Sequence, residues 1–123
     1  MSERDLEAES IRDMLGHNIE MPSRLNSPDM PPGAAAAHKA VSSSSRLATI
    51  RYLFDFPGAR RSDIVSATGM SAAAARTALI ELEEFGYVTA DVGVPRNGRN
   101  VRYTVNRAAL TDDLTAFVAW TLR

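Results

Sequence analysis

The apolar residues change period between residues 71 and 105, and nothing else in the chain constrains its fold as much. From Ala72 to Phe85 they recur about every 3.6 residues, with Ala75, Leu79 and Leu82 on one helical face. Ser71 ahead of this run is a preferred N-cap, and Gly86 behind it is a preferred C′ residue. The period then falls to about two. Tyr87, Val88, Ala90 and Val92 read as one strand and Val101, Tyr103 and Val105 as another. Between them lies Pro95-Arg96-Asn97-Gly98-Arg99, and Asn-Gly is the favoured pair for a two-residue type I′ hairpin turn. The expected class is mainly α with a small β-hairpin, an α+β arrangement.

The chain has 123 residues, enough for one domain of ordinary size with a tail to spare. Ser2 can cap a helix through about Gly16 whose apolar residues Leu6, Ile11, Met14 and Leu15 form a narrow stripe, too thin to be a core by itself. From Ile19 to Gly33 four prolines (Pro22, Pro28, Pro31, Pro32) mark a linker or extended arm. Residues 1–33 are thus expected to be an acidic helical and Pro-rich arm, and 34–123 the folded domain. Ala34 to Val41 is a strong helix former opened by Gly33, and the serines at 42 to 45 break it while supplying the next N-cap. Leu47, Ile50, Leu53 and Phe54 repeat at helical spacing up to Pro57-Gly58. Ser62 to Thr68 forms a short helix with Ile64 and Val65 inward, stopped by Gly69. Asn106 or Thr111 caps a last helix carrying Leu114, Phe117, Val118 and Leu122.

The order helix, short helix, three-residue turn, long helix, hairpin, helix is that of a winged helix-turn-helix. Residues Ala40 to Leu53 resemble the first helix of the domain in ArsR-like repressors. The segments Arg61 to Ser71 and Leu82-Glu83-Glu84-Phe85-Gly86-Tyr87-Val88 resemble the helix-turn-helix and the strand that follows it in ArsR-like and MarR-like regulators. The resemblance spans about residues 34 to 122. It implies a homodimeric, DNA-binding transcriptional regulator that represses by occupying a promoter, with the helix at 71–86 in the major groove and the wing at 93–100 on the minor groove or backbone.

The formal charge of −1 conceals an uneven distribution. Residues 1–30 hold three Arg against seven acids, a balance of −4, while residues 45–110 hold nine Arg against six acids, a balance of +3. Lys39 is the single lysine among 14 cations. Arginine's planar fork suits phosphates and guanine edges, although a GC-rich genome also favours Arg and Ala.

A helix entering the major groove needs a tight turn before it, a capped N-terminus and a polar outer face. Gly69 and Ser71 meet the first two needs. The wheel that buries 75, 79 and 82 leaves Ala72, Ala73, Arg76, Thr77 and Ile80 outward. Arg76 suits a guanine edge or a phosphate, Thr77 a base edge, and the alanine methyls a thymine methyl. Helix propensity alone equally accounts for the run Ala72 to Ala75. At the hairpin, Arg96, Asn97 and Arg99 at the tip suit a phosphate backbone or a narrow minor groove, or else a solvated turn. Arg102 suits DNA or a cross-strand partner such as Asp91. Arg60 and Arg61 suit phosphates or surface ion pairs.

Other chemistries have little support. The absence of cysteine removes disulfides, thiolate metal sites and cysteine nucleophiles. His17 and His38 lack the spacing of a metal site and read as surface or packed side chains. There is no glycine-rich phosphate loop and no nucleophile–base constellation, so neither an enzyme nor a cofactor is expected. The charged start of the chain does not read as a signal peptide, and no window approaches about 18 uncharged apolar residues, so the expectation is a cytoplasmic protein without membrane contact.

Two places point to protein partners. Leu114, Phe117, Val118, Trp120 and Leu122 put apolar residues on more than one face of the last helix, as a dimer interface would. In the families the chain resembles, terminal helices form a two-fold dimer that sets half-site spacing. The acidic first helix is the other candidate contact. It motivates an alternative, an adaptor that uses the winged-helix fold to dock a protein. A regulator responsive to a small molecule is a third reading.

Overall fold

The computed structural model describes residues 29–93, 95, 96 and 100–123. The helix expected from Ser2 to Gly16, and the arm up to Pro28, lie outside them. Pro31–Arg123 forms one compact unit. Its elements in chain order are α1 (Pro32–Val41), α2 (Ser44–Asp55), α3 (Arg61–Thr68), α4 (Ala72–Phe85), β1 (Val88–Ala90), β2 (Tyr103–Val105) and α5 (Arg107–Leu122).

Helix α1 starts two residues earlier than Gly33 implied. Pro31 stands at the N-cap and Pro32 at the first helical position, where a missing N–H costs nothing and the ring's fixed φ suits the helix. Ala34, Ala37 and Ala40 are fully buried on it, and their stripe packs on α5. Gly33 sits against the Asp113 carboxylate of α5, so that a methyl group in its place would collide with Oδ1. His38 stacks on Phe117 of α5, ring centroids 5.2 Å apart.

The Ser43 hydroxyl caps α2, accepting the Arg46 N–H at 3.3 Å. Ile50 and Leu53 are buried as the spacing predicts, but Leu47 is exposed and Thr49 is fully buried in its stead. Thr49 tolerates burial because its hydroxyl donates to the Ser45 carbonyl at 2.8 Å. Arg46 ties three elements together. Its Nη2 donates to the Lys39 carbonyl at 2.8 Å and its Nε to that of Ala40 at 3.3 Å, while Nη1 pairs with Glu81 of α4 at 3.0 Å.

The core gathers Ile50, Leu53, Ile64, Ala75, Leu79, Leu82, Tyr87, Val88, Tyr103 and Leu110. Helix α4 ends as its sequence requires. Gly86 adopts φ 82°, a left-handed conformation that favours glycine, and the Tyr87 N–H donates to the Leu82 carbonyl at 3.0 Å. Tyr87 then turns inward, and its hydroxyl donates to Asp113 Oδ2 at 2.7 Å. Burial, and after it the neighbouring Asp113 carboxylate, pushes this phenol's pKa above its ordinary value.

The two strands pair antiparallel, with Val88 opposite Val105 and Ala90 opposite Tyr103. A single bridge joins Tyr103 to Ala59. The ladder is shorter than the alternation predicted, because Val92 and Val101 lie outside it. Beyond Ala90 the Asp91 N–H donates to the Arg102 carbonyl and the Arg102 N–H donates to Asp91 Oδ1. The sequence places a two-residue turn at Asn97-Gly98. That turn lies outside the described residues. The Asn106 side chain, not Thr111, caps α5 by accepting the Ala109 N–H at 3.2 Å.

Candidate nucleic-acid interface

Helices α3 and α4 are joined by Gly69, Met70 and Ser71. Gly69 adopts φ 77° and reverses the chain, while the Thr68 hydroxyl accepts the Met70 N–H at 3.3 Å. Ser71 Oγ accepts the Ala74 N–H at 3.0 Å, which satisfies one of the open donors at the start of α4. The cap is thus where the sequence put it. Ala72, Ala73, Arg76, Thr77 and Ile80 are all exposed on α4, while Ala75, Ala78, Leu79 and Leu82 are buried.

An open cleft of about 1010 Å³ runs along this outer face. One wall is the start of α3 (Arg60, Arg61, Ser62), the floor is α4 from Ala72 to Glu83, and the other wall is Arg96, Asn100, Val101 and Tyr103. Arg60 and Arg61 open α3 with exposed side chains, and the Arg60 N–H donates to Asp63 Oδ2 at 2.9 Å. Among the described residues no ion pair joins the guanidinium of Arg60, Arg61 or Arg76 to an acid. Three guanidinium groups that form no ion pair therefore line this concave surface. An isolated cation of this kind attracts anions through its own field, and a concave low-dielectric wall concentrates that field.

Arg96 departs from the expectation of a projecting guanidinium. Its Nη1 donates to Glu83 Oε2 at 2.8 Å and its Nη2 to Glu83 Oε1 at 2.7 Å, while Nε donates to the Val92 carbonyl at 2.9 Å. The two side chains keep only 27% and 22% of their exposure. A bidentate fork with a carboxylate is the geometry in which Arg binds most firmly, and the Glu83 contact raises the pKa of the guanidinium further. Arg102 makes no cross-strand ion pair with Asp91. The two exchange backbone contacts, and the Arg102 guanidinium donates to the Gly58 carbonyl at 3.1 Å instead. Asn97 and Arg99 lie outside the described residues.

Reading the sequence missed Glu83 and Asn100 in this cleft. Glu83 follows Arg76 and Ile80 at helical spacing, so the wheel that found those two also puts Glu83 on their face. Its link to Arg96 depends on the path of the hairpin, which local spacing does not encode.

The last helix commits some of its predicted contact residues within the chain. Phe117 stacks on His38, and Leu114 and Trp120 are partly covered, whereas Val118 and Leu122 remain 51% and 77% exposed. Among the described residues there is no group of three or more His, Cys, Asp or Glu fit to hold a metal ion. No helix among them is long and apolar enough to cross a membrane.

No protein-family model matches the chain, and no curated protein matches it. Solved structures do. The chain is similar to a "predicted DNA-binding transcriptional regulator" from E. coli, at 26% identity and a TM-score of 0.53, over 70% of this chain and 87% of that one. It is similar to the antimony-specific transcriptional repressor AntR, at 18% identity and a TM-score of 0.56, over 81% and 90% of the two chains. A protein from Enterococcus faecalis V583 assigned as a MarR-family transcriptional regulator matches at 21% identity and a TM-score of 0.54, over 78% and 90%. The fold is a winged helix. In this winged helix α3 and α4 are the helix-turn-helix, and β1, β2 and the segment between them are the wing. The likenesses carry the fold, and at these identities they do not divide the ArsR-like from the MarR-like pattern that the sequence resembles.

Proposed function

We propose that this chain is a DNA-binding transcriptional regulator without catalytic activity, acting as a homodimeric repressor. The observation that carries the reading is the cleft in which the guanidinium groups of Arg60, Arg61 and Arg76 stand without ion pairs around the exposed face of a capped helix. In this reading α4 lies in the major groove. Arg76 and Thr77 meet base edges, and Ala72 and Ala73 leave room for thymine methyls. The Ser71-capped N-terminus, Arg60 and Arg61 face phosphates. Asn97 and Arg99 of the wing reach the neighbouring minor groove or backbone. Leu114, Trp120 and the exposed Val118 and Leu122 supply an apolar surface for a second copy, which would set the spacing of two half-sites. Repression follows by occupying a promoter.

Selection of bound sequences from a random duplex pool tests this reading. The expected product is an inverted repeat bound with strong salt dependence, since phosphate contacts release counterions. Arg76→Ala should cost about 1–3 kcal/mol and relax the preference at one base position. Failure to enrich any sequence, with binding indifferent to salt, rejects the proposal.

A further inference from the structure

The wing begins where its ladder ends. After Ala90 and Tyr103 no strand pairing holds the described residues 92, 93, 95 and 96, yet Arg96 returns to the flank of α4 and engages it with both arms of its fork. The same guanidinium holds the Val92 carbonyl with Nε, so one side chain closes the base of the wing upon itself and fastens it to α4. Glu83 lies in the last turn of α4, where the helix dipole disfavours a carboxylate and favours a cation. Arg96 offsets that penalty. Three of the five N–H donors of Arg96 are used in these contacts, and the pair with Glu83 carries no net charge with which to draw in a phosphate.

We propose that the Glu83–Arg96 pair is a latch that seats the wing against the recognition helix, so that both are positioning residues rather than DNA contacts. The inference rests on the DNA-binding reading above and sharpens it, because it leaves phosphate binding in the cleft to Arg60, Arg61 and Arg76 and withdraws it from Arg96. A latch and a phosphate contact differ in their charge bookkeeping. Losing a phosphate contact lowers the slope of log affinity against log salt by about one, whereas losing a neutral pair leaves the slope alone.

The test uses the full chain carrying Glu83→Gln, Arg96→Gln, both together, or the exchanged pair Glu83→Arg with Arg96→Glu. In the protein without DNA, amide hydrogen exchange at Asp91 and Arg102, whose N–H groups are hydrogen-bonded across the base of the wing, should accelerate about tenfold in either single variant, with recovery of about threefold in the exchanged pair; recovery is partial because a carboxylate cannot donate to the Val92 carbonyl. On a selected DNA site, each single variant should weaken binding by about five- to tenfold at unchanged salt slope, and the double variant should be no weaker than either single one. The latch is overturned if exchange is unchanged in both single variants. It is equally overturned if Arg96→Gln lowers the salt slope by about one while Glu83→Gln tightens binding, the signature of a phosphate contact that Glu83 competes for. If the unaltered chain binds no DNA, the regulator reading fails, and the exchange data still decide whether the pair seats the wing.

Discussion

Arg46 shows how a single half-buried cation can replace several weaker devices. At the end of α1 Arg46 donates to the Lys39 carbonyl, which also accepts the Ser42 hydroxyl, and to that of Ala40, while it pairs with Glu81 on α4. Its guanidinium also lies 6.0 Å from the centre of the Phe85 ring. Arg46→Ala should therefore lower stability by about 1–3 kcal/mol in urea denaturation, and Arg46→Lys should recover little of it, since an ammonium cannot span the two carbonyls and the carboxylate at once. Equal stability of the alanine variant would show these contacts to be worth nothing net. Tyr87 yields a pH dependence. Its folded pKa lies above the 10.0 of an exposed phenol, so above pH 10 the unfolded chain loses this proton while the folded one keeps it. The stability associated with the neutral hydroxyl is complete below pH 10 and declines as pH rises beyond it. Tyr87→Phe should be less stable at neutral pH, having left Asp113 without its donor, and should show a shallower alkaline decline. Parallel denaturation midpoints for the two proteins between pH 8 and about 11 would contradict this assignment.

At the scale of elements, the sharpest test concerns the turn between α3 and α4. A methyl group at Gly69 would meet nothing within 4 Å, so Gly69→Ala carries a pure backbone cost at φ 77°. Thermal unfolding should register it as a loss of about 1–2 kcal/mol, and an unchanged midpoint would mean that the turn relaxes freely. That turn was legible because its chemistry is local: Gly69, Ser71 and Gly86 each do their work within a few residues, and the outward face of α4 follows from period alone. Misreadings arose where a distant group decides. The alternation continues through Val92 and Val101, but the exchange of hydrogen bonds between Asp91 and Arg102 ends the ladder before them. The spacing marks Leu47 as apolar and inward, yet the elements packed on α2 cover Thr49 instead, whose hydroxyl the Ser45 carbonyl satisfies. Arg96 could be recognised as a wing cation. Its partner Glu83 is 13 positions away, and only the return of the chain brings them together.

For the molecule as a whole, the uneven charge and the uneven covering of α5 decide how it would assemble. Val118 and Leu122 have little to lose within the chain, at 51% and 77% exposure, so replacing both with Asp should leave the fold intact. If α5 pairs with a second copy, sedimentation should show a shift from dimer to monomer on that replacement, with loss of binding to paired half-sites and retention of weaker binding to a single one. A variant that remains dimeric would move the interface elsewhere. The partner surface would in turn be built on a stiff base. On the α1 side, the seam with α5 is lined by Ala34, Ala37 and Ala40 beside the His38–Phe117 stack, and these alanines have no rotamers to give up when they are buried. Little disorder is therefore gained by prying the two helices apart until their backbones melt. Such a seam parts all at once or not at all, and the amide protons along α1 and α5 should report a common opening free energy rather than a gradient of fraying.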